Sequence, residues 1–351
     1  MTLARAESVG MGAEAEGGVT AAGGPGTSAA PLLDVSGLRT EFATSRGVVA
    51  VVRDISFQLR RGETLGIIGE SGSGKSMTCQ SLLGLVSKPG RVVGGRAMFD
   101  GQDLLAMSER ERRGLLGSRI GTILQDPMTA LNPAFSIGEQ VGEVLRIHRR
   151  MRGRQLVDRV VEVLGRVKIP MPAKRLGDYP HLLSGGMRQR VVAASAIVCG
   201  PDLLIADEPT TALDVTTQAH FLDLLRAIQR DTGLAIIFVT HDFGVVRRLC
   251  DRVAVMYGGR IVETGETAQI LQRPRHPYTQ ALLASIPDID EEVDRLRTIP
   301  GQPPSAREFD DGCAFRTRCG FATERCQTAP PLRRYSALHQ ASCWREEAHA
   351  A

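Results

Sequence analysis

The apolar positions of this chain change period several times, and each change marks an element. Glu63 to Ile68 and Leu203 to Ala206 are short apolar runs, and Ala235 to Thr240 has the same character. Runs this short with no polar face fit strands covered on both sides, as in a parallel sheet. Met77 to Val86 and most of Ser136 to Arg175 read as helix instead. Leu32 to Leu59 is β-rich, and from Asp202 to Gly265 strands and helices alternate again. That order predicts the α/β class, with a β-rich beginning, a helical insertion and a parallel sheet as the core. After Gly265 come a short helix, an HPYT segment, a Pro-rich linker through Pro304 and a cysteine-bearing tail, with no internal repeat. Residues 1–31 are Ala/Gly-rich with scattered Glu and lack the apolar stretch of a signal peptide, which predicts a disordered tail.

Two of these junctions carry chemistry. Directly after the first apolar strand, Gly69 to Ser76 reads GESGSGKS, the G-x-x-x-x-G-K-[ST] form of a Walker A loop, and a helical run follows. Glycines 69, 72 and 74 let successive N–H groups turn inward on phosphate oxygens, and the helix N-terminus adds partial positive charge. Lys75 is expected to reach the β- and γ-phosphates and Ser76 to offer its hydroxyl to Mg²⁺. The run Leu203 to Ala206 delivers two carboxylates, Asp207 and Glu208, at the end of a buried strand, where open α/β sheets place their ligands. Asp207 is assigned to the metal and Glu208 to orienting or deprotonating the attacking water.

Gln125 in ILQDP, the run LSGGMRQR around Ser184, the triplet Ala212, Leu213 and Asp214, and His241 after the strand ending at Thr240 complete an ordered set. With it, the chain resembles the ATP-binding subunit of ABC transporters over roughly Leu32 to Ser342. The resemblance implies an ABC-type P-loop NTPase domain over 32–265 (N-terminal β-subdomain, RecA-like core, helical subdomain about 136–190), followed by a small cysteine-rich extension over 266–351. It implies ATP contacts from Gly69, Glu70, Ser71, Gly72, Ser73, Gly74, Lys75, Ser76 and Met77, with Mg²⁺ held by Ser76, Gln125 and Asp207. Ser184, Gly185, Gly186 and Met187 are implied to act in trans on nucleotide held by a second subunit, with Asp214 in the D-loop. His241 is implied to contact the γ-phosphate and hold the water, and Gln125 to touch the membrane subunits. Phe42, about thirty residues before Lys75, takes the place of an adenine-stacking aromatic, with Val51 as the alternative apolar contact.

The segments GESGSGKSMT, QDPMTALNP, LSGGMRQR, ADEPTTALDVT and RHPYTQALL resemble the oligopeptide/dipeptide branch more closely. That implies an ATPase driving peptide import through two permeases, beside a second, related ATPase subunit and with an extracytoplasmic solute-binding protein. Nickel complexes or other small solutes are the alternative cargo. A soluble ABC-type ATPase working on ribosomes or DNA usually carries two cassettes or a long coiled-coil insertion, and neither is visible. A binding-only subunit would normally lack Glu208 or His241.

Composition adds bounds. The 351 residues are 42 % hydrophobic, enough for one large domain and an appendage. A net charge of +4 is too slight to suggest nucleic acid. No run of eighteen apolar residues occurs, so the expected place is the cytoplasmic face of the membrane, held there by partners. Of the seven cysteines, Cys79, Cys199 and Cys250 sit singly in apolar runs and read as core. Cys313, Cys319, Cys326 and Cys343 cluster with the spacing C-x5-C-x6-C-x16-C, which lacks the close pairs zinc usually takes. An all-Cys set suits zinc or an iron–sulfur centre, with free thiols as a third reading. The resemblance implies a [4Fe–4S] cluster. ATP hydrolysis is expected to be largely retained when this tail is loosened, since every phosphate-contacting residue lies before Asp242.

Overall fold

The computed structural model describes residues 30–124, 130–286 and 298–345. Gln125 therefore lies outside the described residues. The strands are β1 (Leu33–Thr44), β2 (Gly47–Leu59), β3 (Thr64–Ile68), β4 (Gly90–Phe99), β5 (Gln102–Asp103), β6 (Ile120–Ile123), β7 (Leu203–Asp207), β8 (Ala235–Thr240), β9 (Arg252–Tyr257), β10 (Arg260–Glu266), β11 (Leu332–Arg334) and β12 (Gln340–Ser342). They form two sheets. One is antiparallel, in the order β2-β1-β4-β5; the other runs β11-β12-β10-β9-β3-β8-β7-β6. Within the second, β6, β7, β8, β3 and β9 are mutually parallel, and β10, β12 and β11 continue it antiparallel.

The parallel strands are apolar because both faces are covered, and their alternation assigns each residue to a side. Ile67, Ile205, Ile237 and Val239 pack with Leu38, Val52, Ile55 and Phe99 of the antiparallel sheet and with Leu82 of the helix Lys75–Leu83. Ile68, Leu204, Ile236 and Phe238 face the other way, into a core shared with the helices Ile137–Arg149, Gly153–Arg166, Gly185–Ile197 and Val215–Thr232. Period-2 alternation thus decides which layer each side chain joins. The helical region begins sharply because Ser136 and Glu139 form a capping box, satisfying two donors at the first turn. Among the described residues, no helix is long and apolar enough to cross a membrane.

The sequence sets the cysteine-bearing tail apart as a small extension, whereas the structure joins it to the core. β12 pairs with β10 through Glu263↔Ala341 and Thr264↔Gln340, and Ala314 and Phe315 are buried in the main core. The joint is polar at its centre. The Glu263 carboxylate, fully buried, accepts from the backbone N–H groups of Arg275 (2.6 Å) and His276 (2.9 Å) and meets His339 Nε2 at 2.7 Å. Sequence inspection could not pair Glu263 with residues up to 76 positions away. Glu263→Ala would strand three buried donors, so the unfolding free energy should fall by about 3 kcal/mol. Denaturant titration checks the loss, and hydrogen exchange should show the Gln340–Ser342 amides deprotected ahead of β7 and β8.

Candidate functional site

The site sits where β3, β7 and β8 end. Register pairs Ile68 with Thr240 and Asp207 with Val239, so the residues following each strand emerge side by side. The loop after β3 is tightly enclosed: a Cβ on Gly69 would lie 2.2 Å from the Met256 carbonyl oxygen. Gly74 caps the helix Lys75–Leu83 at φ +100°, a conformation that favours glycine. Lys75 Nζ is buried against the loop, donating to the carbonyls of Gly69 (2.7 Å) and Glu70 (3.0 Å). Burial draws its ammonium down, opposed by the carboxylates of Glu208, Asp207 and Glu70. Ser73 Oγ is buried with no hydrogen-bond partner among the described residues.

Ser76 Oγ donates to Asp207 Oδ1 at 2.9 Å, across 131 residues of sequence. Burial raises the Asp207 carboxyl, partly offset by this hydrogen bond. The next residue, Glu208, has φ +46°, outside the usual range for a non-glycine residue. Its backbone N–H donates to Val239 O (3.0 Å), which turns the side chain toward β8's end, where Oε2 lies 3.4 Å from His241 Nδ1. Thr211 Oγ1 donates to the same carboxylate at 3.1 Å. A hydroxyl beside a carboxylate at the base of the loop, with a second carboxylate and an imidazole beyond it, suits metal-assisted attack of water on a phosphoryl group.

The remaining sequence candidates are more dispersed. Ser184 caps the helix Gly185–Ile197 by accepting from Met187 N–H (3.3 Å), and Ser184 and Gly185 are exposed. Asp214 caps Val215–Thr232, its carboxyl held below the usual range by the backbone N–H of Thr217. Phe42 is half-buried on β1, opposite Val49 and Gly90, its ring close over Gly90. The Val51 carbonyl lies nearer the phosphate loop, 2.9 Å from where a Cβ on Gly74 would stand.

Cys313, Cys319, Cys326 and Cys343 all line one cavity of about 490 Å³ beside Phe315 and Trp344. Burial pushes the Cys313 thiol up to about 11 and also raises Cys319 and Cys343. All seven cysteines are unpaired, and among the described residues no three Cys, His, Asp or Glu side chains meet closely enough to hold a single metal ion. Cys79, Cys199 and Cys250 are buried in the core.

Two residues that sequence reasoning did not place reach the phosphate loop from the C-terminal region. Tyr278 Oη accepts from the Glu70 backbone N–H at 2.8 Å, and Arg318 pairs with the Glu70 carboxylate at 2.7 Å. The C-terminal region thus folds back onto the phosphate loop. Tyr278 belongs to the HPYT segment, whose chemistry offered a signal without a role, while Arg318 had none.

The backbone strain at Glu208 gives a test that separates stability from chemistry. Asparagine accepts positive φ more readily than glutamate, so Glu208→Asn should leave unfolding free energy unchanged or raise it by about 0.5 kcal/mol despite losing the Thr211 contact. Hydrolysis should be lost in the same variant. Calorimetry and a phosphate-release assay on one preparation check both.

Comparison with known proteins gives a consistent result. The family model described as ABC transporter matches residues 52–211, and that for the oligopeptide/dipeptide transporter C-terminal region matches 262–326. The oligopeptide transport ATP-binding protein OppD of Salmonella typhimurium is 48 % identical over 314 residues, 90 % of this chain and 93 % of that protein. The dipeptide transport ATP-binding protein DppD of Bacillus subtilis is 46 % identical over 321 residues, 91 % of this chain and 96 % of its own. Among solved structures, the dimeric bacterial ABC transporter cassette MJ0796 superposes with a TM-score of 0.61 at 24 % identity, covering 67 % of this chain and 98 % of its own. CbiO1 of Clostridium perfringens gives 0.59 at 28 %, covering 69 % and 91 %. The enclosed phosphate loop, the Ser76–Asp207 contact and a C-terminal region continuous with the main sheet are thus found in a chain that belongs to the oligopeptide/dipeptide transporter family of ABC ATP-binding proteins.

Proposed function

We propose that this chain is the ATP-hydrolysing subunit of an importer that drives oligopeptides or dipeptides through two permease subunits. It works beside a second, related ATPase subunit at the cytoplasmic face of the membrane, on peptide delivered by a solute-binding protein. The substrate class follows the names of the OppD and DppD relatives. The observation that carries the reaction is the approach of Glu208 Oε2 to His241 Nδ1 at 3.4 Å, beside the 2.9 Å contact of Ser76 with Asp207.

In this reading the amides of Gly69 to Met77 and the Lys75 ammonium take the β- and γ-phosphates, and a phosphate oxygen satisfies the unpartnered Ser73 hydroxyl. Ser76 and Asp207, with Gln125, hold Mg²⁺, which supplies charge neutralisation on the phosphates. Glu208 takes the proton of the attacking water. His241, with 58 % of its side chain exposed, orients that water and the γ-phosphate. The adenine rests on Phe42 or Val51. The exposed N-terminus of Gly185–Ile197, with Ser184, Gly185, Gly186 and Met187, caps the γ-phosphate held by the partner subunit. Asp214 and Val215, the latter 84 % exposed, belong to the same contact between subunits. A groove lined by Leu124, Leu131, Phe135, Val144 and Val192, with Asn132, Gln140 and Glu143, lies next to Gln125 in sequence and suits a permease segment.

For the four clustered cysteines we propose a [4Fe–4S] centre in preference to zinc. The thiols surround a cavity of about 490 Å³ instead of converging on a point. Four thiolates on one zinc would stand about 3.8 Å apart, whereas a cluster spans a wider ring. Such a centre is structural or regulatory, since hydrolysis moves no electrons. 

Glu208→Gln tests the reaction: MgATP should still bind while hydrolysis by the purified complex falls a hundredfold or more, on the order of 3 kcal/mol in barrier. Near-normal turnover would remove Glu208 from the role of base. Protein purified without oxygen should be brown and carry about four irons and four sulfides per chain. Colourless protein with one zinc would replace the cluster by a structural zinc site.

A further inference from the structure

Glu70 supplies the one carboxylate of the GESGSGKS loop, a charge of the wrong sign for an anion site. It is held at three points. Its backbone N–H donates to Tyr278 Oη (2.8 Å), its carbonyl accepts from Lys75 Nζ (3.0 Å), and its carboxylate takes a two-pronged contact from Arg318, Nη1 at 2.7 Å and Nη2 at 3.1 Å. Two of the three partners come from the C-terminal region. The Arg318 side chain is 4 % exposed and Glu70's 25 %, so the pair is poorly screened by water.

Arg318 is fixed in turn. Nε donates to Pro300 O at 2.8 Å, and the guanidinium lies 5.9 Å from the centre of the Tyr257 ring. Tyr257 follows Met256, whose carbonyl closes on Gly69, so one of Arg318's supports adjoins the same loop. The next residue in the chain, Cys319, lines the four-cysteine cavity. A fork this well supported does more than fill space. It links the loop to the cysteine-bearing region.

We propose that Arg318 is a positioning residue for ATP: by pairing with Glu70 it cancels the only carboxylate of the phosphate loop and makes nucleotide affinity depend on the C-terminal region. This rests on the reading of the loop as the ATP site, and is independent of what the four thiols hold. Removing Arg318 leaves a half-buried carboxylate beside the phosphates. Removing both charges leaves none. A purely structural role for the pair predicts the opposite, that the double variant is no better than the single one.

The test uses the full chain, with MgATP affinity read by displacement of a fluorescent ATP analogue and with kcat and melting temperature measured on the same samples. Arg318→Gln should weaken MgATP about tenfold with kcat at saturation within about twofold of wild type. Glu70→Gln combined with Arg318→Gln should recover affinity to within about threefold of wild type. Arg318→Lys, which keeps the charge but not the fork, should fall between and keeps the question open to measurement if Arg318→Gln does not fold. Wild-type affinity in Arg318→Gln, or a double variant no tighter than Arg318→Gln, overturns the proposal. Failure of the wild-type chain to bind MgATP at all would instead overturn the reading of the loop.

Discussion

The register of three buried strands governs the rest of this molecule. β3, β8 and β7 lie side by side with Ile68 opposite Thr240 and Val239 opposite Asp207, and that alignment brings the phosphate loop, the carboxylates and His241 to one edge. The alignment is enforced by burial. Each strand sends alternate residues into two different cores, so a slip of one residue would exchange the contents of both. The same rule explains why β7 and β8 carry no polar residue until their last position. Asp207 is the first polar side chain of β7, and it appears where the sheet ends.

What gathers at that edge is an excess of negative charge around one ammonium. Asp207, Glu208 and Glu70 all act on Lys75, and burial of Asp207 works against its own ionisation. Such crowding is costly in the free protein and is relieved when a cation and a polyphosphate share the site. Glu208 adds a conformational cost, its φ of +46° imposed by the turn that donates its N–H to Val239 O. The turn aims the carboxylate at His241 and away from Asp207's partner Ser76. Strain and repulsion are thus concentrated on the residue assigned to activate water, and the rigid β7–β8 pairing beneath it holds the arrangement in place.

Much of this was legible in the sequence for a physical reason. GESGSGKS has a local meaning, because glycine placement and the following helix fix its geometry within eight residues. LLIADE is readable because strand burial and the strand's end are both written in consecutive residues. Parallel-sheet class, helical insertion and the carboxylate pair follow from such short-range patterns. Contacts between distant segments were not legible. Glu263 and His339 are unremarkable apart, and nothing in either neighbourhood marks them as the buried joint of the C-terminal strands. Arg318 is one arginine among many, and its partner lies 248 residues earlier. The four cysteines were visible as a group, but their common cavity depends on Phe315 entering the main core, which no spacing rule states.

That long-range attachment changes how the cysteine-bearing region relates to catalysis. A tail joined only by a linker could be loosened without consequence for the phosphate loop. Here β12 extends the sheet that carries the site, Glu263 anchors the segment leading to Tyr278, and Tyr278 and Arg318 both end on Glu70. The hydrogen bond from Cys313 N–H to Cys326 O, 2.9 Å long, joins two of the cavity-lining cysteines, and the Arg316–Arg318 turn lies between them in the chain. Any group that ties the four thiols together also fixes the turn presenting Arg318, because Arg318 and Cys319 are adjacent in the chain. Loss of that group would loosen the turn, since metal-binding energy is folding energy in a small unit. In the proposed scheme the affected quantity is therefore affinity for nucleotide, through Glu70's uncancelled charge, while Asp207, Glu208 and His241 are placed by the β7–β8 pairing.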